Sequence, residues 1–339
     1  MAERPRTVLL AHGSGGKLSH ELVQDLFLRH FRNPILASLD DAATVAVPGA
    51  RLAFTTDSYV ISPLFFPGGD IGKLAVCGTV NDLAVAGARP LYLSAGFILE
   101  EGLPLETLER VVASMAETAR AAGVEVVAGD TKVVDHGSAD GLFINTAGIG
   151  VVPEGIRLSP QALRPGDVLL VSGTIGDHGM AVMMQREGFS FQSALTSDCA
   201  PLNGLVEGLL AACGRAVRCM RDPTRGGLAT VLNEWAQAAG VGMEVEEGAV
   251  PVREEVRAAC EFLGLDPLYV ANEGKVLVAV APEAADAALA ALRAHPLGRE
   301  AAAIGRVTDE HPRRVVLRTA FGARRVVEML AGAQLPRIC

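Results

Sequence analysis

The chain has 339 residues, of which half are hydrophobic and a fifth charged. That balance excludes a disordered protein and leaves room for two domains. A net charge of −9 argues against general nucleic-acid binding, because neutralising phosphates takes a basic surface. The longest uncharged run, 141–153, contains Asn145 and Thr146 and falls short of the roughly 20 apolar residues that span a bilayer. The opening residues hold too short an apolar stretch for a signal peptide, so a cytoplasmic location without membrane contact is expected.

In chain order, 7–11 reads as a short strand running into the turn His12-Gly13-Ser14-Gly15-Gly16-Lys17. Leu18, Leu22 and Leu26 with Val23 and Phe27 then repeat at helical spacing. A strand at 52–56 ends on Asp57, and a buried helix over 71–86 carries Asn81 and Asp82. A strand at 91–99 and a helix from Leu105, stopped by Gly123, lead to a strand at 124–128 that runs into Gly129-Asp130-Thr131. Another strand covers 141–152. The stretch 153–165 holds three prolines and no period, which marks a domain boundary.

The second half begins with a strand at 167–172 and the turn Gly173 to Gly176, which opens a helix at 179–186. Helices at 201–213 and 226–239, a strand at 243–246 and a helix at 253–263 follow. A strand at 276–281 precedes an Ala-rich helix, opened by Pro282 and closed before Pro296. Two strands, at 303–307 and 314–317, and a short helix ending near Leu330 complete it. Residues 332–339 have no period and read as an exposed tail. Several successive strands lack the helix that a parallel crossover requires, which favours two α+β or mixed α/β domains over a doubly wound sheet. The expected division is 1–35 for the Gly-rich segment and its helix, 36–155 and 156–331 for the two domains, and 332–339 for the tail.

The turn at Gly13 to Lys17 fails as a P-loop, because Ala11 takes the first glycine position and Leu18 follows the lysine. It remains a helix start whose N–H groups and lysine suit an anion. Aspartates recur beside small apolar residues, in LDDAAT, FTTDSY, VNDLAV, AGDTKV and MRDPTR. Each alone could cap a turn or helix. Five in one chain point to carboxylates sharing a metal ion that holds nucleotide phosphates. Asp222-Pro223-Thr224-Arg225-Gly226-Gly227 adds a guanidinium suited to phosphate oxygens. His178, in the third Gly-rich turn SGTIGDHG, reads as a turn or packing residue, and Lys132 and Glu273, taken alone, as ordinary surface charges. Of six cysteines none forms a C-x-x-C pair, and five read as packing residues. The sixth, Cys339, is the last residue, where a thiol on a movable arm could carry an acyl-type group.

These strings, HGSGGK, LDDAA, TTDS, VNDLA, AGDTKVV, FINTAGIG, SGTIGDHG, RDPTRGG, ANEG and the terminal PRIC, cover nearly the whole chain. By them the sequence resembles the HypE family of carbamoyl dehydratases, which act in hydrogenase maturation. That family lies in the superfamily of aminoimidazole ribonucleotide synthetase, selenophosphate synthetase and thiamine-monophosphate kinase. The resemblance implies a two-domain PurM-like fold with a ferredoxin-like N-terminal domain, an α/β C-terminal domain and a flexible tail. It implies a homodimer built through the N-terminal sheets, ATP and Mg2+ as cofactors, and ATP-dependent dehydration of an S-carbamoyl group on Cys339 to a thiocyanate. The carbamoyltransferase HypF would load the group, and a HypC–HypD complex would take the cyano group to iron.

By the same resemblance Asp41, Asp57, Asp82, Asp130 and Asp222 are the metal-binding acids. Gly15, Gly16, Lys17, Asp57, Asp82, Asp130, Thr131 and Arg225 belong to the nucleotide. Lys132 and Glu273 stand near the tail's docking point, with Glu273 as the base for the carbamoyl N–H. His136 departs from the family's pattern and is given no role. Two other readings stay open from the sequence. One is a small-molecule kinase or synthetase of the selenophosphate or thiamine-phosphate type, which would leave Cys339 idle; the turn around Ser14 offers no thiol for selenide. The other is a nucleotide-binding scaffold whose tail docks partners.

Overall fold

The computed structural model describes residues 16–27, 36–187, 195–330, 335 and 337–339. The strand expected at 7–11 and Gly15 lie outside them. A short helix α1 (Lys17–Leu22) continues as a wider turn at Val23–Phe27. Strands β1 (Ala43–Val47) and β2 (Ala50–Tyr59) form a hairpin, and a two-strand ribbon β3 (Phe65–Phe66) and β4 (Gly69–Asp70) leads into helix α2 (Ile71–Val85). Then come β5 (Arg89–Glu100), α3 (Leu105–Ala122), β6 (Glu125–Val134) and β7 (Leu142–Val151). The first sheet runs β1-β2-β7-β5-β6. Its β5–β6 pair is parallel and joined through α3, and its other pairs are antiparallel.

Helix α2 starts because the Asp70 carboxylate caps the N–H groups of Gly72 and Lys73. It is buried on nearly every side, so it shows no amphipathic period, and its last turn carries Asp82 inside the molecule. Helix α3 buries one face through Val111, Met115, Ala119 and Ala122, and Gly123 ends it in the left-handed region that favours glycine. Along β2 the residues alternate, with Ala53, Thr55 and Tyr59 buried against the helices and Phe54 and Thr56 turned outward.

The second half contains β8 (Val168–Val171), α4 (Asp177–Arg186), α5 (Asn203–Cys213), β9 (Val217–Arg221), α6 (Gly227–Ala239) and β10 (Gly242–Glu246). It continues with α7 (Glu254–Leu263), β11 (Leu277–Val280), α8 (Ala285–Ala294), β12 (Ala302–Thr308), β13 (Val315–Arg318) and β14 (Arg324–Val327). The second sheet runs β14-β13-β10-β12-β8-β11-β9, with β10–β13 its parallel pair. Its core gathers Trp235, Leu232, Ile304 and Leu317. No helix among the described residues is long and apolar enough to cross a membrane.

Four expectations change. The short helix expected before Leu330 is strand β14, because Val315 to Arg318 pair with it across a turn at Gly322. Strands β1, β3, β4 and β9 have no counterpart among the expected elements. Strand β6 runs on through Asp130 and Thr131 to Val134 because β5 pairs with it along its whole length. The tail, expected to be exposed, is docked: Ile338 is buried in the core beneath the first sheet, and Leu335 and Cys339 pack against the same cluster.

Candidate active site

Asp41 precedes β1, Asp82 sits in the last turn of α2, and Asp222 follows β9. The fold brings one carboxylate oxygen from each within 4.8 Å of the others. Burial pushes Asp41 up to about 6, against the lowering pull of Arg221, and pushes Asp222 up to about 8, with Asp41 adding to it. Asp82 rises well above the ordinary range from burial and from Asp222 and Asp41. Arg221 Nε lies 2.9 Å from Asp41, and its NH1 lies 2.8 Å from Glu234. Thr55 Oγ1 lies 2.8 Å from Asp82 Oδ2. Three converging carboxylates, Asp222 buried and Asp41 and Asp82 half-buried, form a set of hard oxygen ligands that fits Mg2+. Asp57, two residues along β2 from Thr55, adds its charge to all three.

Asp57 also bears on the other half of the site. Its charge, with that of Glu273, raises the Cys339 thiol, whereas Arg225 lowers it. Burial is the largest cause, and the thiol is pushed up to about 12. In return Cys339 raises Arg225. Arg225 stands in a turn that only glycines complete, since Gly226 and Gly227 both have positive φ and a Cβ on Gly227 would come within 2.6 Å of the Leu268 carbonyl.

Glu273 is buried, burial pushes its carboxyl well up, and its Oε1 has no hydrogen-bond partner. Its backbone is fixed on both sides. The N–H donates to Asp198 Oδ1 at 3.1 Å, and Asn81 Nδ2 donates to the carbonyl at 3.2 Å. Lys275 Nζ holds Asp198 at 3.0 Å. The next residue has to be glycine, because a Cβ on Gly274 would fall 1.8 Å from the Asp198 carbonyl oxygen.

Of the residues singled out in the sequence, the fold therefore joins Asp41, Asp57, Asp82, Asp222, Arg225, Glu273 and Cys339. It does not bring Asp130, Thr131 and Lys132 to them. These lie on exposed edge strand β6, where Lys132 Nζ pairs with Asp130 at 2.9 Å and both side chains are 71% exposed. Hydrogen bonds from Lys132 and then Thr131 hold Asp130 below its ordinary range. Gly16 is buried and packs on Leu330, a Cβ there meeting its carbonyl oxygen at 2.5 Å. Lys17 is exposed and lies 3.9 Å from Glu21.

Thr55, Asn81, Arg221, Asp198 and Lys275 also support the site and carry no expected role from the sequence. Thr55, Asn81 and Arg221 sit inside the motif strings, and Lys275 directly follows ANEG, so all four could have been found there. Asp198 has no local signal.

With this geometry in view, the comparisons decide the family. The model of the AIR synthase related protein, N-terminal domain, matches residues 39–152, and that of the C-terminal domain matches 164–318. Carbamoyl dehydratase HypE of Azotobacter vinelandii is 57% identical over 336 residues, which covers 99% of this chain and 98% of that protein. The chain belongs to the HypE family. A crystal structure of HypE in complex with ATP superposes with a TM-score of 0.83 at 55% identity, covering 98% of this chain and all of that one. A HypE–HypF complex gives 0.87 at 51% identity, over 91% of this chain and 99% of that one. The mixed α/β, two-domain PurM-like architecture expected from the motifs is the HypE fold.

Proposed function

We propose that this chain is an ATP-dependent carbamoyl dehydratase that converts an S-carbamoyl group on its own Cys339 to S-cyanocysteine. The observation that carries the reading is the docked chain end, which sets the Cys339 thiol among Arg225, Glu273 and Asp57 beside the Asp41, Asp82 and Asp222 cluster. An ordinary kinase acting on a free substrate has no use for that thiol.

Amide oxygen is a very poor leaving group and phosphate a good one, which is why the reaction needs ATP. The carbamoyl oxygen attacks the γ-phosphorus and ADP departs, leaving an O-phosphorylated imidate on Cys339. Glu273 takes one N–H proton. The C–O bond then breaks, phosphate leaves, the second N–H proton is lost and the nitrile forms. Burial raises Glu273, so its carboxylate, when ionised, takes a proton more readily than an exposed one. Arg225 balances charge building on the transferring phosphoryl group. Asp41, Asp82 and Asp222, with Asp57 beside them, would hold Mg2+, which neutralises phosphate charge when bound.

HypF is proposed to load the carbamoyl group, as the HypE–HypF complex suggests, and a HypC–HypD complex to take the cyano group to iron. We also propose a homodimer. The first sheet has helices on one face only, and its other face presents Phe54, Tyr92, Ile98 and Ile149 to solvent. An apolar sheet face of this kind, next to an open edge, suits a second copy. The second copy is then where Lys132 acts.

Mass spectrometry of the C-terminal peptide tests the reading. After incubation with HypF, a carbamoyl donor and ATP–Mg2+, the peptide should gain the carbamoyl group and then lose one water. A carbamoyl adduct that never dehydrates with ATP would overturn it.

A further inference from the structure

The chain end is held by its backbone as much as by its thiol. Residues 60–62, just beyond β2, receive the tail in antiparallel fashion. Val60 N–H donates to the Cys339 carboxyl-terminal oxygen at 3.1 Å, and Ser62 N–H to the Arg337 carbonyl at 3.4 Å. Arg337 Nε returns a bond to the Val60 carbonyl at 3.0 Å, and its NH1 meets Asp140 at 2.5 Å.

From the second domain two side chains of α4 close on the same stretch. His178 Nε2 lies 2.8 Å from the Ile338 carbonyl, and Arg186 NH2 lies 2.7 Å from the Arg337 carbonyl. The same guanidinium reaches the Ser62 carbonyl through NH2 at 2.6 Å and Nε at 2.9 Å, so it bridges the tail and the segment the tail lies on.

A carbonyl only accepts, so His178 carries its proton on Nε2, and Nδ1 accepts from Ser197 Oγ at 2.8 Å. That hydroxyl oxygen accepts in turn from Cys199 N–H at 3.0 Å. The ring is fully buried and stands edge-on to Phe66, which leaves it one orientation. Between Ser197 and Cys199 sits Asp198, whose carboxylate holds the Glu273 backbone N–H. One three-residue segment therefore sets both the histidine that grips the tail and the proposed base.

We propose that His178 and Arg186 are positioning residues that hold the tail by its last two peptide carbonyls and so fix how far the Cys339 thiol reaches into the site. The function rests on Cys339 being the reacting group, but the grip does not depend on chemistry having occurred. A slip of one residue along the groove would move the thiol by about 3.3 Å, the rise per extended residue, and would break both bonds. The grip reads main chain, so it sets register and depth without restricting what the thiol carries.

The test is the rate at which iodoacetamide alkylates Cys339 in the full chain without nucleotide, read by mass spectrometry of the C-terminal peptide. His178→Ala and Arg186→Ala should each alkylate at least ten-fold faster than the parent. His178→Gln and Arg186→Lys, which keep a donor, should fall between. Thermal unfolding is measured on every variant; Arg186 is only partly buried, so its pair carries the test if His178→Ala fails to fold. Alkylation equal to the parent in folded Arg186→Ala would overturn the proposal, as would no difference between Arg186→Ala and Arg186→Lys. Dehydration by the parent is assayed alongside. A parent that protects Cys339 but never dehydrates it refutes the dehydratase reading and leaves the grip standing.

Discussion

The backbone N–H of Val60 lies 3.1 Å from the terminal oxygen of Cys339, so the end of the chain is bonded to the segment that continues from Asp57. Docking buries the thiol, and burial, helped by Glu273 and Asp57, pushes it up to about 12 against the pull of Arg225. A free cysteine ionises near about 8.5. A pKa raised in the docked state stabilises docking fully below the free value, and that stabilisation is lost as pH climbs from about 8.5 toward 12. Alkylation of Cys339 should therefore keep accelerating above pH 9, where an exposed cysteine levels off. A plateau at the same pH as a model thiol would mean that the tail is not docked.

The acidic cluster sets a second pH dependence. Burial raises Asp41 to about 6 and Asp222 to about 8. Without a cation, the stability these groups contribute is present below their unfolded pKa of about 3.9 and is lost as pH rises through the folded values. A divalent ion relieves the resulting repulsion. The rise in unfolding temperature on adding Mg2+ should be clearly larger at pH 8.5 than at pH 5.5, and Asp82→Asn should remove most of it. An equal rise at both pH values would place the ion elsewhere.

Glu273 can be separated from nucleotide binding. Glu273→Gln keeps the side chain's shape but cannot accept the carbamoyl proton. Dehydration should fall by about 10²–10⁴-fold, the usual contribution of a general base, with ATP affinity within about two-fold of the parent. Normal single-turnover dehydration in Glu273→Gln would remove it from the mechanism.

Lys132, which sits apart from the cluster in its own chain, calls for a complementation experiment. Lys132→Ala and Cys339→Ala should each be inactive alone. If Lys132 serves the second copy, mixed dimers regain activity, because the intact tail of one chain then meets the intact lysine of the other. Failure of exchanged mixtures to regain any activity would return Lys132 to its own subunit or to no role.

Much of this site could be read before the fold was known. Asp41, Asp82 and Asp222 stood out because a carboxylate among small apolar residues is costly to bury unless something shares its charge. Helix α2 was visible from its apolar run, and Gly123 marked a real stop. Other features were invisible for local reasons. Strand β14, with Arg324 and Arg325, lies at a sheet edge and shows no apolar face of its own, so only its pairing with Val315 to Arg318 makes it a strand. Asp130 looked like a turn residue because Gly129 precedes it, yet β5 carries the pairing straight through both. The tail has no period, and what docks it comes from residues more than 150 positions away, such as His178 and Val60.

In an ATP-driven dehydration the carbamoyl oxygen must leave with the phosphate. Cys339 carrying a carbamoyl group labelled with oxygen-18 is incubated with unlabelled ATP and Mg2+, and both the C-terminal peptide and the released phosphate are weighed. The expected result is a cyano adduct on Cys339 and inorganic phosphate carrying one labelled oxygen. Unlabelled phosphate, with the label retained on the peptide or released to water, would contradict it.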